Sequence, residues 1–96
     1  MTKADVVNNI SDQLGIDKND VLATVECLME EIKSSLESGE NVYLRGFGSF
    51  IIKTRAEKTG RNISRNVAVK IPAHNIPAFK PAKVFINGVK SKVEVA

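Results

Sequence analysis

Nine lysines and arginines are spread over residues 45–83, and only one acid, Glu57, stands among them. They are Arg45, Lys53, Arg55, Lys58, Arg61, Arg65, Lys70, Lys80 and Lys83. A phosphate backbone accepts cations without demanding fixed base geometry, so a basic series of this density points to nucleic acid. At its centre is "TGRNISRN", residues 59–66, a turn-like stretch whose one apolar member is Ile63. An apolar side chain at the tip of a basic ribbon, next to Arg61 and Asn62, suits insertion at a base step from the minor groove. Incidental packing on the ribbon explains it equally well, and the pattern alone leaves the two level.

Other chemistry is sparse. The chain has one histidine, His74, between Pro72 and Pro77, and one cysteine, Cys27, inside an apolar helical run. The first reads as a surface residue in a loop-like stretch, the second as a small structural side chain. No spacing resembles a zinc site or a phosphate-binding P-loop, and no acid, base and nucleophile form a set. No enzyme activity, metal or cofactor is therefore expected.

The charge divides along the chain. Residues 1–41 carry three lysines against nine acids, a net −6, while residues 42–96 carry eleven cations against Glu57 and Glu94, a net +9. Solubility does not require such segregation. A polyanion binder does, and a dimer docking an acidic protein is the rival from another class. The five aromatic residues, Tyr43, Phe47, Phe50, Phe79 and Phe85, fall in stretches read as core or helix. No stacking platform for single strands is left, so duplex is the expected partner.

With 96 residues, 43% of them hydrophobic, the chain reads as a single globular domain, 1–96. A chain this short buries little of its surface, so oligomerisation is a natural supplement. The lone cysteine suggests a reducing compartment. No secretory leader follows Met1 and no apolar run is long enough to span a bilayer, so a cytoplasmic location without membrane contact is the default.

Thr2 with Asp5 reads as the start of a first helix, with Val6, Val7, Ile10 and Leu14 on one face and Gly15 at its end. Asp17 caps a second helix of about five turns, stopped by Ser38 and Gly39. Its stripe of Val21, Leu22, Val25, Leu28, Met29, Ile32 and Leu36 is too wide for the first helix to cover. Residues 1–40 are thus a helical, dimerising half. From Asn41 the period becomes two. "NVYL" is a short strand. "RGFG" is a turn in which Gly46 and Gly48 permit positive φ and Phe47 dips into the core. "SFIIKTRAEKT" is a strand buried at Phe50, Ile51 and Ile52 and exposed from Lys53. "GRNI" is the reversal and "SRNVAVKIP" the return, with Val67, Val69 and Ile71 alternating. Residues 41–80 therefore hold a sheet and a protruding arm, the arm at about 53–72. Pro72 and Pro77 limit pairing beyond the arm to edge or irregular strand. A short helix starting at Pro81 and ending near Asn87 and Gly88 is favoured over a hairpin at that dipeptide, within a segment 81–96 that includes a tail.

"GFGSF" (Gly46 to Phe50), "RAEKTGRN" (Arg55 to Asn62) and "KIPAHNIPAFKPAK" (Lys70 to Lys83) closely resemble the bacterial histone-like HU and integration host factor family. The order of elements fits from Thr2 to about Val89. The resemblance implies an α+β fold in an intertwined dimer, homodimeric or heterodimeric with a paralogue. In that fold a base of N-terminal helix pairs carries a three-stranded antiparallel sheet, two β-ribbon arms and short C-terminal helices. It implies that Val25, Leu28, Met29, Ile32, Leu36, Leu44, Phe47, Phe50 and Phe79 form core and dimer contacts. It implies that Lys53, Arg55, Lys58, Arg61, Asn62 and Arg65 line an arm in the minor groove, and that Lys3, Lys80 and Lys83 meet phosphates on the body. The implied function is bending of double-stranded DNA in the bacterial nucleoid, non-specific or weakly specific. Within this resemblance Arg45 points to the site-specific, integration-host-factor-like branch, and a basic residue there serves a non-specific binder as well. The family's arm tip reads Gly-Arg-Asn-Pro with proline as the wedge, and Ile63 stands at that position here.

Overall fold

The computed structural model describes residues 1–62 and 67–95. The predicted wedge Ile63 and the cation Arg65 lie outside the described residues, as do the side chains of Arg61 and Asn62.

Local chemistry accounts for both N-terminal helices. Helix α1 (Lys3–Leu14) opens on a reciprocal cap: the Asp5 N–H donates to Thr2 Oγ1 and the Thr2 N–H to Asp5 Oδ2 at 2.9 Å. It closes at Gly15, φ 67°, whose N–H donates to the Ser11 carbonyl. Helix α2 (Lys18–Glu37) is capped by Asp17, which accepts from the Asn19 N–H at 2.8 Å. Val7 of α1 and Val21 of α2 are the only buried apolar residues among those described.

The Thr2 N–H, and then its hydroxyl, hold the Asp5 carboxyl below the usual aspartate range. A depressed folded value means that this cap stabilises the protein above the unfolded aspartate value and is lost as pH falls through the folded one. Asp5→Asn is therefore expected to flatten the loss of thermal stability below about pH 4, measured by melting over a pH series.

Strands β1 (Val42–Leu44), β2 (Gly48–Arg55) and β5 (His74–Pro81) form an antiparallel sheet in the order β1-β2-β5. The turn between β1 and β2 places Gly46 at φ 81°. Gly48 was also expected to use positive φ, but only Gly46 does so in this turn. Gly48 instead lets β5 come close. A Cβ there would lie 2.6 Å from the Phe79 ring and 2.7 Å from the Lys80 carbonyl oxygen. Gly48→Ala must push that strand away, at an expected cost of about 1–3 kcal/mol in chemical denaturation.

Beyond this sheet, β3 (Lys58–Asn62) and β4 (Val67–Ile71) form a separate two-stranded ribbon. Pairing breaks after Arg55↔His74 and resumes at Lys58↔Ile71 in the same register. Ala56 and Glu57 face Pro72 and Ala73 across this gap, where proline has no N–H to give. The chain extends 58 × 35 × 28 Å with a radius of gyration of 19.0 Å. A compact chain of this length would have about 12–13 Å.

Several expectations need correction. Gly60, Arg61 and Asn62 were read as the reversal, but they continue β3 opposite Val69, Ala68 and Val67. His74 was read as lying in a loop-like stretch, yet it belongs to β5; of the two readings for Pro77, edge or irregular strand, the edge strand is the one found. Helix α3 (Lys83–Lys92) starts two residues after Pro81, which is held in β5 opposite Gly48. It runs through Asn87 and Gly88 without a hairpin, because Phe85 anchors it against Phe47 at a ring distance of 5.4 Å. Cys27, inside the apolar helical run, is exposed.

The apolar residues read as core or dimer face are not buried within one chain. Val25, Ile32, Leu36, Leu44 and Phe50 are half-buried; Leu28, Met29, Phe47 and Phe79 are exposed, Leu28 by 50%. Phe47 joins Phe79, Phe50 and Phe85 in a ring cluster. A groove of about 680 Å³, lined by Ile32, Leu36, Phe50, Ile52, Ile76 and Pro77, separates α2 from the sheet.

Candidate nucleic-acid interface

The fold distributes the cations over three regions. The first is the ribbon and its root. Strand alternation puts Lys53 and Arg55 on one face of β2, opposite Ile76 and His74 in register. Lys58 opens β3 opposite Ile71, and Lys70 lies on β4 opposite Thr59. All four are exposed. Cross-strand partners share a face, so Lys70 lies on one side of the ribbon while Val67, Val69 and Ile71 line the other. Those three apolar residues are themselves exposed.

The second region is a cleft of about 630 Å³ at the far end of the sheet, lined among others by Tyr43, Arg45, Ser49, Lys80 and Lys83. Arg45 reaches it from the β1–β2 turn, Lys80 from the end of β5 and Lys83 from the first turn of α3. The Ala82 N–H donates to the Phe47 carbonyl at 2.8 Å and fixes the turn beside the start of α3. No side chain caps α3, so its positive end is open to an anion together with the three cations.

Lys3 forms the third region, at the start of α1. Its ammonium lies 2.7 Å from Glu26 of α2. Among the described residues two further ion pairs form, Lys33–Glu30 at 3.4 Å and Lys70–Glu57 at 3.2 Å. Tyr43 departs from expectation: it was placed in the core, but β1 alternation turns Val42 and Leu44 inward and leaves Tyr43 72% exposed beside the cleft. Ser49 and Tyr43 carried no signal in the sequence. Glu57 did, as the only acid in the basic segment, but its partner was not readable. Among the described residues, no group of three or more histidines, cysteines, aspartates or glutamates stands close enough to hold a metal. No helix among them is long and apolar enough to cross a membrane.

A helix pair, a three-stranded sheet and a ribbon carried beyond it also describe proteins of known sequence and structure. The family described as "Bacterial DNA-binding protein" matches residues 1–90. The chain belongs to this family. Within the HU and integration host factor relatives, it is 39% identical to integration host factor subunit alpha of Aliivibrio fischeri over 94 residues, covering 98% of this chain and 92% of that one. It is equally 39% identical to the DNA-binding protein HU of Thermus thermophilus over 90 residues, 94% and 93% of the two chains. The fold is similar to an HU chain co-crystallised with DNA from Anabaena, with a TM-score of 0.88, 34% identity and coverage of 93% and 97%. The mixed α+β family fold is thus the fold of this chain, down to the three helices and the antiparallel strands.

Proposed function

We propose that two such chains, identical or paralogous, form a dimer that binds and bends double-stranded DNA with little sequence preference, organising the bacterial nucleoid in the cytoplasm. The observation that carries this reading is an exposed basic ribbon projecting from an apolar base that one chain leaves uncovered. Membership of a family of DNA-binding proteins and likeness to an HU chain co-crystallised with DNA support it.

In this reading, the apolar groove and the exposed faces of Leu28, Met29, Phe47 and Phe79 receive the second chain. Lys53, Arg55, Lys58, Arg61, Arg65 and Lys70 neutralise phosphates along the arm. The Arg45, Lys80 and Lys83 cleft and Lys3 take phosphates on the flanks of the body. Arg61 and Asn62 place the tip in the minor groove, and Ile63 inserts at a base step for roughly a few kcal/mol of unstacking. Preference among sequences then reflects deformability rather than base contacts. The chain acts by binding and is not an enzyme.

Titrating a labelled random duplex over a salt series tests this. Affinity should fall linearly on a log–log scale with a slope that reflects several neutralised phosphates. Absence of binding at low salt would rule the reading out in favour of an acidic protein partner. Ile63→Ala should keep dimer and affinity but reduce bending, read from the end-to-end distance of bound duplex. An unchanged distance would remove Ile63 as the wedge.

Site-specific binding of the integration-host-factor type is a second reading, supported by Arg45 in the cleft, while the 39% identity to that subunit is matched by the identity to HU. Footprinting on defined and random duplexes separates them: one strongly protected site supports the second reading.

A further inference from the structure

The only acid in the basic segment is not idle. Glu57 lies in the gap where ribbon pairing is interrupted, and its carboxylate sits 3.2 Å from the Lys70 ammonium on β4. Glu57 immediately precedes β3, whereas Lys70 lies on its partner strand β4. Their contact therefore spans the ribbon beside the stretch where Ala56 and Glu57 face Pro72 and Ala73 without ladder bonds. Both side chains are more than half exposed, so water and salt reach the pair. A pair this open is weak enough for a competing anion to displace.

We propose that Glu57 is an internal stand-in for a DNA phosphate at Lys70, tying the ribbon across its interrupted stretch until duplex replaces it. This rests on the duplex-binding reading above. In the free protein Glu57 occupies the cation and restrains the interrupted stretch. On binding, a phosphate takes the ammonium and the released carboxylate collects a solvent cation. The cation set free from DNA is then offset by the one taken up by Glu57, so Lys70 adds little to the salt dependence of binding. Lys53 and Lys58, with no carboxylate partner among the described residues, contribute theirs in full. Glu57 thereby limits both affinity and its salt sensitivity, and lowers the net charge of the arm by one.

Two measurements test the proposal. In the free protein, amide hydrogen exchange of Thr59 and Gly60 in β3 and of Ala68, Val69 and Lys70 in β4 should quicken by about 2–5-fold in Glu57→Gln. Lys70→Gln should quicken it equally, and the double variant no further. Exchange unchanged by Glu57→Gln overturns the tie whatever the protein binds. In the duplex titration, Glu57→Gln should tighten low-salt binding by about 2–5-fold and steepen the salt slope by about 0.9. Lys70→Gln on that background should remove the gain. A gain that survives Lys70→Gln shows that Glu57 acts only through the overall field of the arm, and overturns the proposal. A wild-type chain that binds no duplex overturns the underlying reading, while the exchange experiment still decides on the Glu57–Lys70 tie.

Discussion

Phe79→Ala should cost about 3–5 kcal/mol of stability and make the melting temperature depend more steeply on protein concentration. The Phe79 ring lies 5.1 Å from Phe47, 4.9 Å from Phe50 and 6.3 Å from Phe85, so its loss removes the centre of the cluster. Within a single chain the residue is still 39% exposed. Truncating a side chain so exposed should cost well below the range for a buried aromatic. The full penalty arises only if a second chain covers the cluster and its cavity is sealed from water. A cost near 1 kcal/mol, with melting independent of concentration, would mean that nothing covers this face. The same measurement on Leu28→Ala, half-exposed on α2, gives an independent check on the helical side.

Neutralising the cleft should have the second largest effect. With Arg45, Lys80 and Lys83 all replaced by glutamine, the salt slope of duplex binding should fall by about 2.7, at roughly 0.9 per phosphate contact. Affinity near 0.1 M salt should drop ~10²–10³-fold. The three side chains come from a turn, a strand end and a helix start, and line one cleft beside an uncapped helix N-terminus. Removing them should leave folding intact, because all three are exposed. A triple variant with unchanged slope would mean that this cleft does not meet the duplex.

Legibility in the sequence tracks the range of the forces involved. The first two helices were legible because their signals are local: Thr2 with Asp5, Gly15, Asp17, and Ser38 with Gly39 lie within one turn of the ends they set. The ribbon strands were legible from period-two alternation, as in Val67, Val69 and Ile71. Strand β5 was legible only as an edge or irregular strand, because His74, Pro77 and Pro81 argue against a central strand and its place at the sheet edge makes them acceptable. The extent of α3 was likewise decided by Phe85 stacking on Phe47, across 38 residues of chain. Among the candidate contacts, residue type and density identified the cations. Their grouping required the fold: Arg45 is 35 residues from Lys80, and Glu57 is 13 residues from Lys70, yet each pair is brought to one place. Gly48 was singled out as a turn glycine, but its constraint comes from β5, far along the chain.

The distance between the ends of a short duplex carrying a fluorescent donor and acceptor tests the central claim most directly. Saturating wild-type chain at low salt should bring the ends clearly closer, and added salt should return them to the free-duplex distance as the protein dissociates. A duplex that is saturated, by anisotropy in the same sample, yet keeps its free end-to-end distance would contradict DNA bending as the function of this fold.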